Sequence, residues 1–267
     1  MDARQHCLAC LERDPPAMLE AALWIAAEHK PRLRPDQVLR EFGGLLQQVA
    51  AGLPQLPPAE LAQPLLRRLN ELDFHEDDDT PLRPRAALLP EVLTRRRGQP
   101  LSLALIALEL AARLGTPLAG VSFPGHFLLR VPGADHLLDP CSGRRLYTRD
   151  CRDLLVRVYG PQAELQATHL RTASAQEMIQ RLSRNLRVLH MEASEPLAAL
   201  KDAERVLLLG PPTMQDHLAR ADIYQRLDCP QAERYDLERA LLLCDDAAQH
   251  LQLAQRLSRL GRSQALH

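Results

Sequence analysis

Residues 101–114 are apolar on nearly every side of a helical wheel, and directly after Gly115 the spacing of apolar residues changes. A helix that lacks a polar face has to be covered all round, so this block is expected to run through the middle of a core, and Gly115 supplies the residue that ends it. Beyond it, residues 118–123, 126–131 and 136–138 are short β-compatible segments separated by Pro124-Gly125 and Pro132-Gly133. That punctuation predicts strands joined by tight turns. A buried helix followed by an antiparallel meander is the order of an α+β fold, not of alternating α/β units.

The sequence on either side reads as helical. Residues 18–27 and 38–49 repeat apolar side chains at helical spacing, and Pro31 and Pro35 separate the two blocks. Prolines make residues 51–58 a linker, and residues 59–72 predict a third helix. From Ala175 onward Glu-Arg-Val-Leu-Leu-Leu at residues 204–209 recurs as Glu-Arg-Ala-Leu-Leu-Leu at residues 238–243. That offset of 34 is the tetratricopeptide period, although Pro211 ends the first copy, Asp245-Asp246 ends the second, and Cys229-Pro230 reads as an interruption of the turn. The expected division is a domain over residues 1–170 and a tetratricopeptide-like helical region over residues 171–267.

Charge and cysteine content narrow the function classes. Lys plus Arg number 33 against 34 acids, a net charge of -1, which gives no global attraction to nucleic acid or anionic lipid. Arg95, Arg96 and Arg97 read as a solvated basic loop, and three arginines are too few to imply nucleic acid. Residues 76–79, one glutamate and three aspartates, read as a solvated acidic loop; consecutive acids lack the alternating ligands and turn glycine of a calcium loop. No apolar run approaches the roughly 20 residues that span a bilayer, and residues 1–13 mix charges without a signal-peptide pattern. The six cysteines, at 7, 10, 141, 151, 229 and 244, are scattered over a chain too large to need staples, so free thiols and a cytoplasmic location are expected. Cys7 and Cys10, with His6 beside them, have no second pair at zinc-ligand spacing and read as incidental cysteines on a helical surface. No metal and no cofactor is expected.

One constellation carries possible chemistry. Ser102 stands at the start of the central helix, His126 follows Pro124-Gly125 at the opening of a strand, and Asp139 ends the next strand. This is the order of nucleophile, base and orienter. A hydroxyl at a helix N-terminus has free backbone N–H groups and the positive end of the dipole beside it, which favours an oxyanion. Spacing alone leaves other readings open: Ser102 as a helix-start residue, His126 as a partly buried strand histidine, and Asp139 before Pro140 as a turn former.

Residues 92–103, which include Arg95-Arg96-Arg97-Gly98-Gln99-Pro100, together with residues 111–115 and Phe123-Pro124-Gly125-His126-Phe127, resemble the SirB-type family of bacterial transglutaminase-like proteins. Asp139-Pro140, residues 20–26, Asp73-Phe74 and the stretch from Arg181 through the repeats extend the resemblance over nearly the whole chain. It implies a transglutaminase-like, papain-related core with N-terminal helices, a central helix plus antiparallel sheet, and a C-terminal helical tail. It also implies that His126 and Asp139 stand at the base and orienter positions, while Ser102 falls where that superfamily carries its nucleophilic cysteine. A serine hydroxyl is far less acidic than a thiol and must lose its proton during attack. The leading expectation is therefore a non-catalytic or weakly catalytic protein-interaction or regulatory module that meets a protein partner through its tail. The alternative is a hydrolase or acyl transferase for amide or ester bonds, with Ser102, His126 and Asp139 as triad and the Ser102 N–H and Gln99 stabilising the oxyanion. A third reading keeps the Ser102/His126 cleft as a peptide or small-molecule binding site without turnover.

Overall fold

The structure, a computed structural model, describes residues 1–264. Helices α1 (Ala3–Leu11), α2 (Met18–His29), α3 (Pro35–Ala51) and α4 (Ala62–Glu71) open the chain. Asp2 caps α1 in a reciprocal box with Gln5. On α2, Leu19, Leu23 and Ile25 are buried. Cys7 and Cys10 are wholly buried as well, so the expectation of incidental surface cysteines fails: α1 packs on α2, and small polarisable thiols fill that seam.

A short strand β1 (His75–Glu76) follows, then α5 (Leu89–Arg95) and β2 (Arg97–Gly98). The two strands pair in parallel, His75 with Arg97 and Glu76 with Gly98. This pairing overturns the expectation of two solvated charged loops. Arg95 reaches the buried Asp77 at 2.7 Å and Asp79 at 3.6 Å. Arg96 donates to the Leu72 carbonyl at 2.6 Å, and Arg97 to Asp73 at 3.1 Å. Arg95 is thus the partner that the buried Asp77 requires, whereas Arg96 and Arg97 hold the turn at residues 72–73 and Asp79 is bound more closely by Arg85.

Helix α6 (Pro100–Arg113) comes next, with proline at its first position and ten of its residues buried. Gly115, at φ +69, ends it. Strands β3 (Ala119–Val121), β4 (Leu128–Arg130), β5 (Leu137–Leu138) and β6 (Arg145–Leu146) form one antiparallel sheet in the order β3-β4-β5-β6. Helix α7 (Thr148–Tyr159) closes it: Cys151 and Leu155 join Val121, Phe123, Leu128, Leu137 and Leu146 in one apolar cluster. The fold is an α+β arrangement with extensive helix.

The chain divides into two compact units, Met1–Leu182 and Ser183–His267. The division falls within α8 (Ala175–Glu192), twelve residues beyond the expected limit at residue 170. Its cause is local: Thr172 bridges Val121, Ala173 donates to the Gly120 carbonyl at 2.8 Å, and Arg181 donates to Ser122 at 2.8 Å. Residues 172–182 thus belong with the sheet.

In the second unit the remainder of α8 is followed by α9 (Pro196–Leu208), α10 (Met214–Arg226), α11 (Pro230–Leu242) and α12 (Ala247–Gln264). Equivalent features recur 34 positions apart. Helices end at Glu192 and Arg226, left-handed residues follow at Ser194 and Asp228, and Pro196 and Pro230 each occupy the first helical turn. Asp202 and Asp236 are both fully buried, each bound to a histidine: His190 at 2.7 Å and His217 at 2.8 Å. Cys229-Pro230 is therefore the start of a helix and not an interruption, since proline at a first helical position loses no hydrogen bond.

Asp216 ties this unit together. It closes a capping box with Thr213 and accepts from Arg184 at 2.9 and 2.7 Å. Burial alone would raise its pKa, but the Arg184 guanidinium and the Thr213 donors outweigh burial and hold it at about 2, against an ordinary 3.8. The folded state then binds fewer protons than the unfolded state between those values, so this stabilisation is complete above about pH 4 and lost as pH falls toward 2. Acid titration followed by circular dichroism is expected to cost the tail about 2 kcal/mol across that window, and Asp216→Asn to remove the part due to this carboxyl.

Candidate functional site

Ser102 occupies the third position of α6 and is fully buried. Its hydroxyl donates to the Ala87 carbonyl at 3.4 Å, a long contact. Gln99 is the N-cap residue of α6: its backbone N–H donates to the Ala86 carbonyl at 2.7 Å, and its side chain does not cap the helix. Among the described residues no hydrogen bond joins Ser102 to His126 or His126 to Asp139.

His126 lies in the turn between β3 and β4, two residues before β4 begins, and is half-buried. Its N–H donates to the Phe123 carbonyl at 3.1 Å. Gly125 has φ +72, and a Cβ there would come 2.7 Å from Val158, so the turn demands glycine on both counts. Arg181 holds the same turn, donating to Ser122 at 2.8 Å and to the Phe123 carbonyl at 3.0 Å, with its guanidinium 5.7 Å from the Phe127 ring centre. Burial lowers the His126 pKa, Arg181 and Arg157 add to that effect, and Asp139 only partly offsets it. The imidazole is therefore neutral near pH 7 and able to accept a proton.

Asp139 follows β5 and organises its own loop. It accepts from the Cys141 N–H at 3.0 Å and from the Ser142 hydroxyl at 2.5 Å; its N–H donates to the Arg144 carbonyl at 2.9 Å. The loop rests on α4: Gln63 donates to the Gly143 carbonyl at 2.9 Å and Asn70 to the Cys141 carbonyl at 3.0 Å. Both carboxylate oxygens thus have donors from the loop itself, as a turn former requires, while the charge still acts on His126.

Glu76 is a residue that sequence reasoning passed over. Its register with Gly98 on β2 places it beside the start of α6. Glu76 is exposed as a residue, yet partial desolvation of its carboxyl and then Asp139 push it above the ordinary range. Burial, Asp139 and Glu76 likewise raise Cys141 strongly, so it remains a thiol and offers no ready thiolate. Only the β1–β2 register reveals Glu76, and no spacing rule would have found it.

Chemically, the arrangement offers a half-buried neutral imidazole with carboxylates nearby and a serine directed elsewhere. No described helix is long and apolar enough to cross a membrane.

Comparison with known proteins agrees with this fold. Residues 36–184 match the model of the transglutaminase-like superfamily. The UPF0162 protein PA3419 of Pseudomonas aeruginosa is 64% identical, with all of both chains covered. A UPF0162 protein of Xylella fastidiosa is 32% identical over 89% of this chain and 88% of its own. Protein SirB1 of Salmonella typhimurium is 31% identical over 60% of this chain and 61% of its own. With a family model spanning more than half of its length and a relative matched from end to end, the chain belongs to the UPF0162 family of transglutaminase-like proteins.

Proposed function

We propose that this protein lacks the cysteine chemistry associated with its superfamily and works as an interaction or regulatory module, meeting a protein partner through the helical tail. The observation that carries this reading is Ser102: it is wholly buried and its hydroxyl faces the Ala87 carbonyl, whereas a working nucleophile needs a base within about 2.6–3.2 Å. The tail supplies the interaction surface. Its 34-residue helix pairs fit a tetratricopeptide-like array, whose stacked helices present side chains for binding. Leu208 and Leu242 hold equivalent places in the two copies and are 57% and 77% exposed, so both are accessible to a partner. Six free cysteines suit a cytoplasmic setting.

The rival reading, a serine hydrolase or acyl transferase for amide or ester bonds, draws on the neutral His126 with Asp139 nearby. A fluorophosphonate probe separates the two. The full chain is expected to label no more than Ser102→Ala, and Ser102→Ala to change stability by no more than about 1 kcal/mol, since a single long hydrogen bond is lost. Labelling that requires both Ser102 and His126 would overturn the proposal in favour of the enzyme. In parallel, Leu208→Glu with Leu242→Glu in the full chain should release the partner recovered with the wild-type protein; retention of that partner would remove the tail from the proposal.

A further inference from the structure

An open groove of about 560 Å³ runs along α3 and faces α5, away from the Ser102 and His126 positions. Val38 and Leu45 of α3, Leu33 before it and Leu93 of α5 are half-buried apolar walls, with the Phe42 and Phe74 side chains beneath. The α3 residues that line it run from Arg34, at the N-cap, to Gln48, a length of about 21 Å at 1.5 Å per residue. That is the span of about four helical turns of a docked segment.

Two further observations describe what fits. Arg32, Arg34 and Arg96 line the groove against one acid, Glu41. Arg32 and Arg34 are exposed and form no ion pair among the described residues, so the groove is positive. Gly43 and Gly44 sit in the interior of α3, and a Cβ at either would meet nothing within 4 Å. Glycine inside a helix costs about 1 kcal/mol relative to alanine, and no described residue crowds either position. Gly44 lines the groove, where a missing side chain lets another backbone approach closely.

We propose that this groove is a docking site for an acidic amphipathic helix of a partner protein, its apolar face against Val38, Leu45 and Leu93 and its carboxylates toward Arg32, Arg34 and Arg96. This is the helix-in-groove mode, read by apolar anchors at helical spacing, with charge complementarity setting the choice of sign.

The test uses the full chain and two fluorescent peptides of about 18 residues, five helical turns, with leucines at i, i+3, i+4 and i+7. One peptide carries glutamates at its flanking positions and the other lysines. Anisotropy is expected to show saturable binding of the glutamate peptide and at least about tenfold weaker binding of the lysine peptide. Gly44→Gln, which fills the groove while improving helix propensity, should weaken binding at least about tenfold without lowering the melting temperature. Arg32→Gln with Arg34→Gln should weaken it similarly and flatten its salt dependence. Absent saturable binding, equal binding of the two peptides, or indifference to Gly44→Gln overturns the proposal. So does a dimer in sedimentation that Gly44→Gln dissolves, which assigns the groove to a second copy, or Gly44-dependent binding to phosphatidylglycerol vesicles, which assigns it to a lipid surface.

Discussion

Asp236→Ala is expected to destabilise the helical tail by about 3–5 kcal/mol, a large share of the roughly 5–15 kcal/mol that holds a domain folded. The Asp236 carboxylate is wholly buried on α11. It is bound by His217 at 2.8 Å and by Arg220 in a two-point contact at 2.7 and 2.9 Å. Both donors lie on α10, so one carboxylate joins the two helices of a pair. Alanine would leave a mostly buried guanidinium and a buried imidazole without an acceptor, and the penalty is the desolvation of those groups more than the loss of the pair itself. Asp236→Asn keeps a neutral acceptor of the same shape and should cost less. Amide exchange over α10 and α11 measures both variants; a loss under about 1 kcal/mol for alanine would mean that water reaches Arg220 and that the pair is not a buried staple.

That staple also shows where the sequence was legible. The 34-residue period was visible in two Glu-Arg-x-Leu-Leu-Leu runs, because leucines at the ends of α9 and α11 keep their spacing. The sharper marks of the same repeat are Pro196 with Pro230, the left-handed Ser194 and Asp228, and the buried Asp202 and Asp236. They are single residues whose meaning depends on which helix turn they occupy, and Pro230 reads as a breaker until its place at a helix start is known. The meander was legible for a different reason: Pro124-Gly125 and Pro132-Gly133 mark its turns, whereas β6 has only two residues and no pattern of its own.

The candidate site was the least legible part. Residues 76–79 and 95–97 look like two solvated charged loops when each is read alone, and only the parallel register of β1 with β2 brings Arg95 to Asp77. The same register brings Glu76 to the start of α6. Ser102 illustrates a conflict between two sound local readings. A serine at a helix start suggests access to solvent and a free dipole end, whereas a helix that is apolar all round suggests burial from its first turn. The structure follows the second, because Leu101 and Leu103 on either side are themselves buried.

Ile106→Ala should therefore cost the first unit far more than Ser102→Ala, although the two residues are one turn apart on α6. Ile106 is fully buried. Removing its branched side chain forfeits the transfer of those carbons from water and leaves a cavity that the packed surroundings close only in part, a loss of about 2–5 kcal/mol. Ser102→Ala removes one oxygen and a 3.4 Å contact, with an expected effect inside about 1 kcal/mol. Trp24 on α2 is the single tryptophan of the chain, and α2 packs against α6. Its fluorescence in a urea titration therefore reports unfolding around α6 without signal from the tail. The expected result is a midpoint well below wild type for Ile106→Ala and one close to wild type for Ser102→Ala. Comparable losses for both would mean that the serine hydroxyl holds the start of α6 in place, and its conservative variant Ser102→Thr would then be needed to separate that structural duty from any catalytic one.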